Sequence, residues 1–286
     1  MTLQTALLQG TKLLEDAGIA APRLTAEVLL SHVLHCERVY LYGHPEQELR
    51  EVEWIHYGRY LHERMQGKPT QYITKRQEFY GRDFRVTPDV LIPRPETEQV
   101  VEVALRIARD APRILDVGTG SGALAVTLQI ESAASVFATD ISPGAVSVAG
   151  GNSARLGARV AFVLCDLMDA IAEASMDLVV SNPPYVPLTE REHVQREVRD
   201  WEPALALFAG ESGFDAYERI IADAPRVLRP GGWLIMELGF GSVNRVSEMM
   251  RGWQDLRIEP DLAGIPRVIA GRVRRNSTTL DNRHDN

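Results

Sequence analysis

Between Arg113 and Leu238, five short apolar runs of strand type are interleaved with helix-like stretches, and this pattern restricts the fold more than any other feature of the chain. The strand candidates are Ile114–Val117, Val136–Thr139, Val160–Leu164, Leu178–Val180 and Trp233–Leu238. The helix candidates are Ala123–Ile130, Pro143–Ala154 and Ala216–Leu228, the last stopped by Arg229-Pro230-Gly231-Gly232. Runs with no polar alternation suit strands buried on both faces, and helices between them supply the crossovers that parallel strands require. The pattern predicts an α/β domain with a parallel, Rossmann-like sheet, and Asp261–Arg272 is predicted to close it as a hairpin with its turn at Gly264.

The flanks have a different texture. Residues 1–70 carry apolar residues at helical spacing (Leu7, Leu8, Leu13, Leu14, then Leu29, Leu30, Val33, Leu34), followed by Trp54, Ile55, Tyr57, Tyr60 and Leu61. A small N-terminal helical bundle is expected there. Residues 71–93 are rich in β-type side chains (Tyr72, Ile73, Phe79, Tyr80, Phe84, Val86) broken by Gly81 and Pro88, and a β-hairpin joining two domains is predicted. Pro93 and Pro95 lack a backbone donor and end the strand, and Pro95 suits the first position of a helix reaching about Arg109. The main domain is expected over 94–273, with a polar tail, 274–286, expected to be disordered.

Composition removes several classes of function. With 31 basic against 39 acidic residues the net charge is −8, a poor basis for binding nucleic acid through its phosphates. No direct nucleic-acid partner is expected. Two cysteines, Cys36 and Cys165, are too few for a disulfide framework or a cysteine zinc site, and suit the reducing cytoplasm. No apolar run approaches the roughly 20 residues of a membrane span, and no membrane partner is expected. Five of the seven histidines (His32, His35, His44, His56, His62) fall in the N-terminal region without ligand spacing, so no metal site is predicted.

Chemistry is concentrated at the ends of the predicted strands, where open α/β sheets place their ligands. Asp116-Val117-Gly118-Thr119-Gly120-Ser121-Gly122 joins a strand to a helix. Its glycines permit a tight turn and close approach of a ligand to backbone N–H groups. The pattern is G-x-G-x-G rather than the dinucleotide G-x-G-x-x-G, and an acid stands two residues before it. A carboxylate there would repel a pyrophosphate but accept hydrogen bonds from an ammonium group, which favours S-adenosylmethionine. Asp140, about twenty residues on, stands where a carboxylate binds ribose hydroxyls, and is also compatible with capping the helix that starts at Pro143. Asp166 with Leu167 could face an adenine, or could be a solvated loop.

The most informative stretch is Ser181-Asn182-Pro183-Pro184-Tyr185, after the fourth strand. A planar NH₂ group is a poor nucleophile because its lone pair is delocalised. Asn182 offers a side-chain carbonyl, and the rigid Pro183-Pro184 pair offers a backbone carbonyl. Two such acceptors would hold both N–H bonds and aim the lone pair at an activated methyl, with Tyr185 packing on the planar group. Catalysis would then be positioning, with no strong base. An exocyclic amine of a DNA or RNA base is the alternative substrate for the same site, though a flipped base needs basic contacts to its flanking phosphates. A non-catalytic scaffold that kept the fold is a third reading. Residues 190–202, directly after this motif, are expected to form a lid or entrance.

The surrounding text is narrower than the motif. Arg64-x-x-Gly67-x-Pro69-x-Gln71-Tyr72-Ile73, Glu78-Phe79-Tyr80-Gly81, Leu91-Ile92-Pro93-Arg94-Pro95-Glu96-Thr97-Glu98, Asn182-Pro183-Pro184-Tyr185 and Glu202-Pro203 together resemble the peptide chain release factor glutamine methyltransferases (the PrmC/HemK family) over nearly all of 1–273. The resemblance implies an S-adenosylmethionine-dependent methyltransferase domain behind a helical domain, with N5-methylation of the glutamine in the Gly-Gly-Gln loop of release factors. It places the cofactor, released as S-adenosylhomocysteine, against Asp116, Gly118, Thr119, Gly120, Ser121, Gly122, Asp140, Asp166, Leu167 and Asn182. It makes Asn182, Pro183 and Tyr185 catalytic, and Asn182, Pro183, Pro184, Tyr185, Arg94 and Glu96 substrate-binding. Leu167 departs from the pattern, some members having an aromatic residue there.

Overall fold

The computed structural model describes residues 1–108 and 110–274. Its first compact unit comprises Met1–Arg76, Val86–Pro88 and His193–Glu202. Five helices lie in its N-terminal part: α1 (Leu3–Asp16), α2 (Pro22–Leu34), α3 (Arg38–Gly43), α4 (Glu51–Met65) and α5 (Thr70–Thr74). The leucine spacing of α1 puts Leu3, Leu7 and Leu14 on one buried stripe, which packs with Leu29 and Leu30 of α2 and Tyr57 and Leu61 of α4. Gly10 admits the Tyr57 ring, since a Cβ there would stand 2.1 Å from the phenol oxygen. The Thr2 hydroxyl caps α1 by accepting from the Thr5 N–H.

Gln71–Thr74, expected as part of the hairpin, is helical instead, because Tyr72 and Ile73 bury their side chains on a short turn begun by Pro69. The hairpin is correspondingly shorter: β1 (Arg76–Phe79) and β2 (Arg82–Arg85). Gln77–Arg85 is part of the second unit, with Asp89–Glu192 and the residues from Pro203 onwards. Phe79 and Phe84 meet edge-to-face in that unit's core, and Asn152, 1% exposed, grips the backbone N–H and C=O of Arg85 while donating to Ser121 O. Glu98 accepts the Tyr80 N–H at the hairpin tip.

The second unit is built on a seven-stranded sheet. In chain order its elements are a 3₁₀ turn (Pro95–Thr97), α6 (Glu98–Ile107), β3 (Arg113–Val117), α7 (Ala123–Glu131), β4 (Ser135–Asp140), α8 (Pro143–Leu156), β5 (Val160–Leu164) and β6 (Met176–Ser181). After α9 (Arg196–Trp201), which lies in the first unit, come α10 (Ala204–Leu207), α11 (Asp215–Val227), β7 (Leu228–Glu237), α12 (Val243–Met249), β8 (Gln254–Pro260) and β9 (Pro266–Arg272). The strand order is β5-β4-β3-β6-β7-β9-β8, parallel through β7 and antiparallel at the β9 and β8 edge. One face buries Val100, Val101, Leu124, Val126 and Leu128; the other buries Tyr217, Ile220, Val227 and Met236.

Three expectations need correction. The Arg229-Pro230-Gly231-Gly232 stretch does not precede the fifth strand but lies inside β7, where the register slips between the Met176–Leu228 and Leu178–Trp233 pairs and a bulge absorbs the proline. The closing hairpin is longer than expected, its first arm being Gln254–Pro260, with Gly264 in the turn as anticipated. The helix starting at Pro95 opens with a 3₁₀ turn and its α-helical part ends at Ile107; the expected terminus, Arg109, lies outside the described residues, as does the 275–286 part of the tail. Among the described residues no helix is long and apolar enough to cross a membrane, and no group of three or more His, Cys, Asp or Glu is placed to hold a metal ion.

Candidate active site

The carboxyl ends of β3, β4 and β6 come together because the strands are adjacent and in register, Val117 pairing with both Thr139 and Ser181. The Ser181 hydroxyl donates to Val117 O at 2.8 Å and ties the β6 exit to the start of the glycine loop. A cavity of about 400 Å³ opens over these ends, within the usual range for small-molecule sites. Asp116, Gly118, Thr119, Gly120, Ser121, Asp140, Asp166, Leu167, Asn182 and Pro184 all line it. Pro183 and Tyr185, although adjacent in sequence, do not; nor do Gly122, Arg94 and Glu96.

The glycine loop is held by two backbone bonds, from Gly118 N–H and Thr119 N–H, both to Thr139 O at 2.9 Å. Gly118 and Gly120 have φ of 73° and 54°, a region that side chains disfavour, and among the described residues nothing lies within 4 Å of where a Cβ would stand on either. The open side of the loop is therefore free for a ligand. Gly122 has a different role: a Cβ there would meet the Ala149 Cβ at 3.1 Å, so this glycine permits the approach of α8 to α7.

Asp116 is 1% exposed. Its Oδ2 accepts from the Thr119 hydroxyl at 2.6 Å and the Ala125 N–H at 3.2 Å, while Oδ1 is buried with no hydrogen-bond partner among the described residues. Burial pushes this carboxyl up to about 7, opposed by those two donors and assisted by the nearby Asp140. A buried acceptor left unpaired on a cavity wall lined by a carboxylate is what an ammonium group would satisfy. S-adenosylmethionine carries such a group, and the cavity's donor set fits it: the glycine loop would take its chain, Asp116 its ammonium, Asp140 its ribose and Leu167 its base.

Asp140 is half-buried; Oδ2 accepts the Gly120 N–H and Oδ1 the Ser142 N–H, each at 2.9 Å. The helix cap is not Asp140 but Ser142, whose hydroxyl accepts the Ala145 N–H. That leaves the Asp140 carboxylate with spare lone pairs facing the cavity. Asp166 is ion-paired with Arg219 of α11 at 2.8 Å, and Leu167 holds a left-handed backbone with φ of 44°.

Asn182 is half-buried, and its Nδ2 donates to the Thr97 hydroxyl at 3.0 Å. Thr97 in turn donates to Glu237 Oε2 at 2.6 Å. The Tyr185 ring packs on Gly239, where a Cβ would come within 2.6 Å of Cδ2. Arg94, Glu96, Arg267 and Glu237 make up the charge around the Tyr185 phenol, whose ionisation burial pushes up. Arg94 and Glu96 therefore stand near Tyr185 rather than on the cavity wall.

Four groups were not anticipated from sequence: Thr97, Glu237, Arg219 and the wall formed by Pro203, Leu205, Ala206 and Phe208 around α10. A carboxylate closing an otherwise apolar strand, Trp233 to Glu237, is the one signal that marked Glu237. The wall is reached by a parallel bridge, Val186 to Phe208, which folds the chain after the Asn-Pro-Pro-Tyr motif back on itself. Residues 190–202 are split between the two units. The 3₁₀ helix Leu188–His193 begins the segment, and α9 lies in the first unit, where Arg64, 7% exposed, reaches Glu197 at 2.5 Å.

Comparison with known proteins adds the following. The PrmC N-terminal domain model matches residues 5–74, and the methyltransferase small domain model matches 101–199. A release factor glutamine methyltransferase of Koribacter versatilis (strain Ellin345) is 48% identical over 276 residues, covering 95% of this chain and 99% of that protein. One from Geobacter sulfurreducens is 43% identical, covering 91% and 93%. Among solved structures, a T. thermophilus 16S rRNA N2 methyltransferase (RsmC), in complex with AdoMet and guanosine, superposes with a TM-score of 0.52 at 20% identity. It covers 70% of this chain and 50% of that one, a likeness of fold. With relatives this similar along almost the whole length of both chains, the protein belongs to the release factor glutamine methyltransferase family.

Proposed function

We propose that this protein transfers a methyl group from S-adenosylmethionine to the side-chain amide nitrogen, N5, of the glutamine in the Gly-Gly-Gln loop of peptide chain release factors. The observation that carries the reading is the placement of Asn182 at the exit of β6, in one cavity with the glycine loop and the unpaired Asp116 Oδ1. Relatives 43–48% identical bear the name of that activity. A cytoplasmic setting goes with it, in keeping with the free thiols Cys36 and Cys165.

When bound, S-adenosylmethionine supplies an electrophilic sulfonium methyl. The work of this chain is to hold the acceptor. Asn182 spends its NH₂ on Thr97, leaving Oδ1 as a pure acceptor for one N–H of the glutamine amide. Pro183 is not itself on the cavity wall, but its backbone oxygen, between the wall residues Asn182 and Pro184, is the second acceptor in this reading, and two fixed oxygens orient the amide nitrogen with its lone pair turned to the methyl donor. Polarising both N–H bonds also prepares the nitrogen to pass one proton to solvent water once it is alkylated. Holding reacting atoms in this way accounts for a large share of a barrier without a strong base. Tyr185, anchored on Gly239, forms a flat support behind the motif.

The test is incubation with methyl-labelled S-adenosylmethionine and a purified release factor, followed by digestion. Label in the Gly-Gly-Gln peptide, on the glutamine side chain, is the expected result. Label absent from that peptide, or appearing in oligonucleotides offered in parallel, contradicts the reading.

A further inference from the structure

Thr97 and Glu237 are both buried and hydrogen-bonded to each other, and through Thr97 the pair reaches the Asn182 side chain, although neither is a ligand of S-adenosylmethionine or of the release-factor glutamine in the reading above. Thr97 is 4% exposed and Glu237 also 4%. They lie 140 residues apart in sequence, Thr97 at the 3₁₀ turn before α6 and Glu237 at the end of β7. The three side chains form a line: Glu237 Oε2 to Thr97 Oγ1 at 2.6 Å, and Thr97 Oγ1 to Asn182 Nδ2 at 3.0 Å.

We propose that Thr97 and Glu237 are positioning residues that fix which end of the Asn182 carboxamide faces the substrate. An ionised carboxylate can only accept, so the single hydroxyl hydrogen of Thr97 must point to Glu237. The Thr97 oxygen then turns a lone pair towards Asn182 and can only accept from it. Of the two corners of the Asn182 amide, the NH₂ must occupy that contact, and the carbonyl oxygen is left for the substrate. Protonating Glu237 removes the constraint. Its acidic hydrogen can be given to Thr97, the Thr97 hydrogen is freed to point at Asn182, and the amide is then better placed the other way round. A turned Asn182 offers NH₂ to the NH₂ of a glutamine, donor against donor, and the substrate amide loses one of its two oxygens.

The electrostatic setting makes this relay responsive near neutral pH. Burial pushes the Glu237 carboxyl up to about 7, and Glu96 adds to the rise; the Thr97 hydrogen bond and the positive charges of Arg267 and Arg94 oppose it. Tyr185 faces the same carboxylate. The Tyr217 hydroxyl donates to the Glu237 backbone oxygen at 2.8 Å and fixes the strand end from the other face. In sign, methyl transfer needs the ionised form, so activity is full above about pH 7 and falls as the pH drops through that value.

The inference rests on the methyl-transfer reading for its consequence, but not for its test. In protein labelled with ¹⁵N at asparagine side chains, the Asn182 amide signal (assigned by its loss in Asn182→Ala) should shift with pH about a midpoint near 7, and the shift should vanish in Glu237→Gln, which cannot ionise. A signal that does not titrate in the wild-type chain, or titrates equally in Glu237→Gln, overturns the proposal whether or not the enzyme methylates release factors. On activity, Thr97→Val, which keeps the shape and removes the hydroxyl, is expected to lower kcat about 100-fold. It should leave KM for the release factor and affinity for S-adenosylhomocysteine within about threefold, inside the twofold-to-threefold scatter of ordinary context effects. Thr97→Ser should recover most of the loss, and Glu237→Gln, whose carboxamide can donate to Thr97 as well as accept from it and so no longer fixes the hydrogen, should lower kcat at neutral pH and, at saturating cofactor, lose the acid limb of the profile. Thr97→Val with near wild-type kcat, or Thr97→Ser as poor as Thr97→Val, also overturns it. A wild-type chain that methylates nothing contradicts the function while leaving the ¹⁵N titration to decide the relay.

Discussion

Replacing Asn182 by alanine is expected to cut kcat for methyl transfer to the release factor by about 10²–10³-fold, the usual loss on removing one preorganised group that steadies a transition state. The side chain is half-buried and its one protein hydrogen bond is to Thr97, so the truncation disturbs little of the core. The glutamine amide would keep Pro183 O and lose its second acceptor. It could then rotate, and a geometric slip of that kind is costly because the acceptor nitrogen is intrinsically weak. KM should move far less than kcat, since release-factor binding involves much more surface than one amide. Single-turnover measurements at saturating cofactor separate the two. A variant that loses affinity for the release factor while transferring methyl at the normal rate would place Asn182 in binding alone.

The second large effect concerns Asp116. Asp116→Asn keeps the shape and the bonds to Thr119 and Ala125 but removes the charge, and affinity for S-adenosylhomocysteine is expected to fall about 100-fold or more. Losing one partner of a buried charge pair costs about 3–5 kcal/mol, and each 1.4 kcal/mol is roughly tenfold in affinity. The wild-type interaction should also be linked to protons. With its carboxyl pushed up to about 7 by burial, Asp116 in the free protein is partly protonated at neutral pH. An ammonium beside Oδ1 favours the ionised form, so binding expels protons, and affinity weakens as the pH falls below about 7. Calorimetric titration in two buffers of different ionisation heat measures the protons released. Release near pH 7 in the wild type and none in Asp116→Asn is the expected outcome; equal release in both would assign the proton elsewhere. Folding stability has the opposite sign. Asp116 and Glu237, both raised, contribute stability when neutral, present below the ordinary carboxylate range and lost as the pH rises through about 7.

Local physics made much of the main domain legible. Val160–Leu164 was bounded to the residue because its five apolar side chains follow a glycine-capped helix, and β3, β4 and β6 were found to within a residue or two at each end. Asp116, the glycine loop, Asp140 and Asn182 were legible for a related reason. Each lies at or directly after the carboxyl end of a strand, and a parallel sheet brings strand ends together without further information. The errors lie where tertiary contacts override local signals. Pro230 and two glycines indicate a break, but a bulge against β6 carries the strand through them. Gln71–Thr74 has strand-type residues, yet Tyr72 and Ile73 gain more by burial on a helical turn.

Site residues that act across long sequence distances were the least visible. Thr97 lies between two charged residues, Glu96 and Glu98, and a threonine in that setting carries no local mark of a site; Glu98 accepts from Tyr80 at the hairpin. Nothing local ties Thr97 to a residue 140 positions on. Arg219 and the Pro203–Phe208 wall depend on how the chain returns after Tyr185, which spacing does not encode.

The most direct measurement is a crystal structure of the protein with S-adenosylhomocysteine and a Gly-Gly-Gln loop peptide. The glutamine amide nitrogen is expected within hydrogen-bonding distance of both Asn182 Oδ1 and Pro183 O, its remaining side facing the sulfur. A glutamine bound elsewhere, or an Asn182 whose NH₂ faces the substrate, would contradict this geometry.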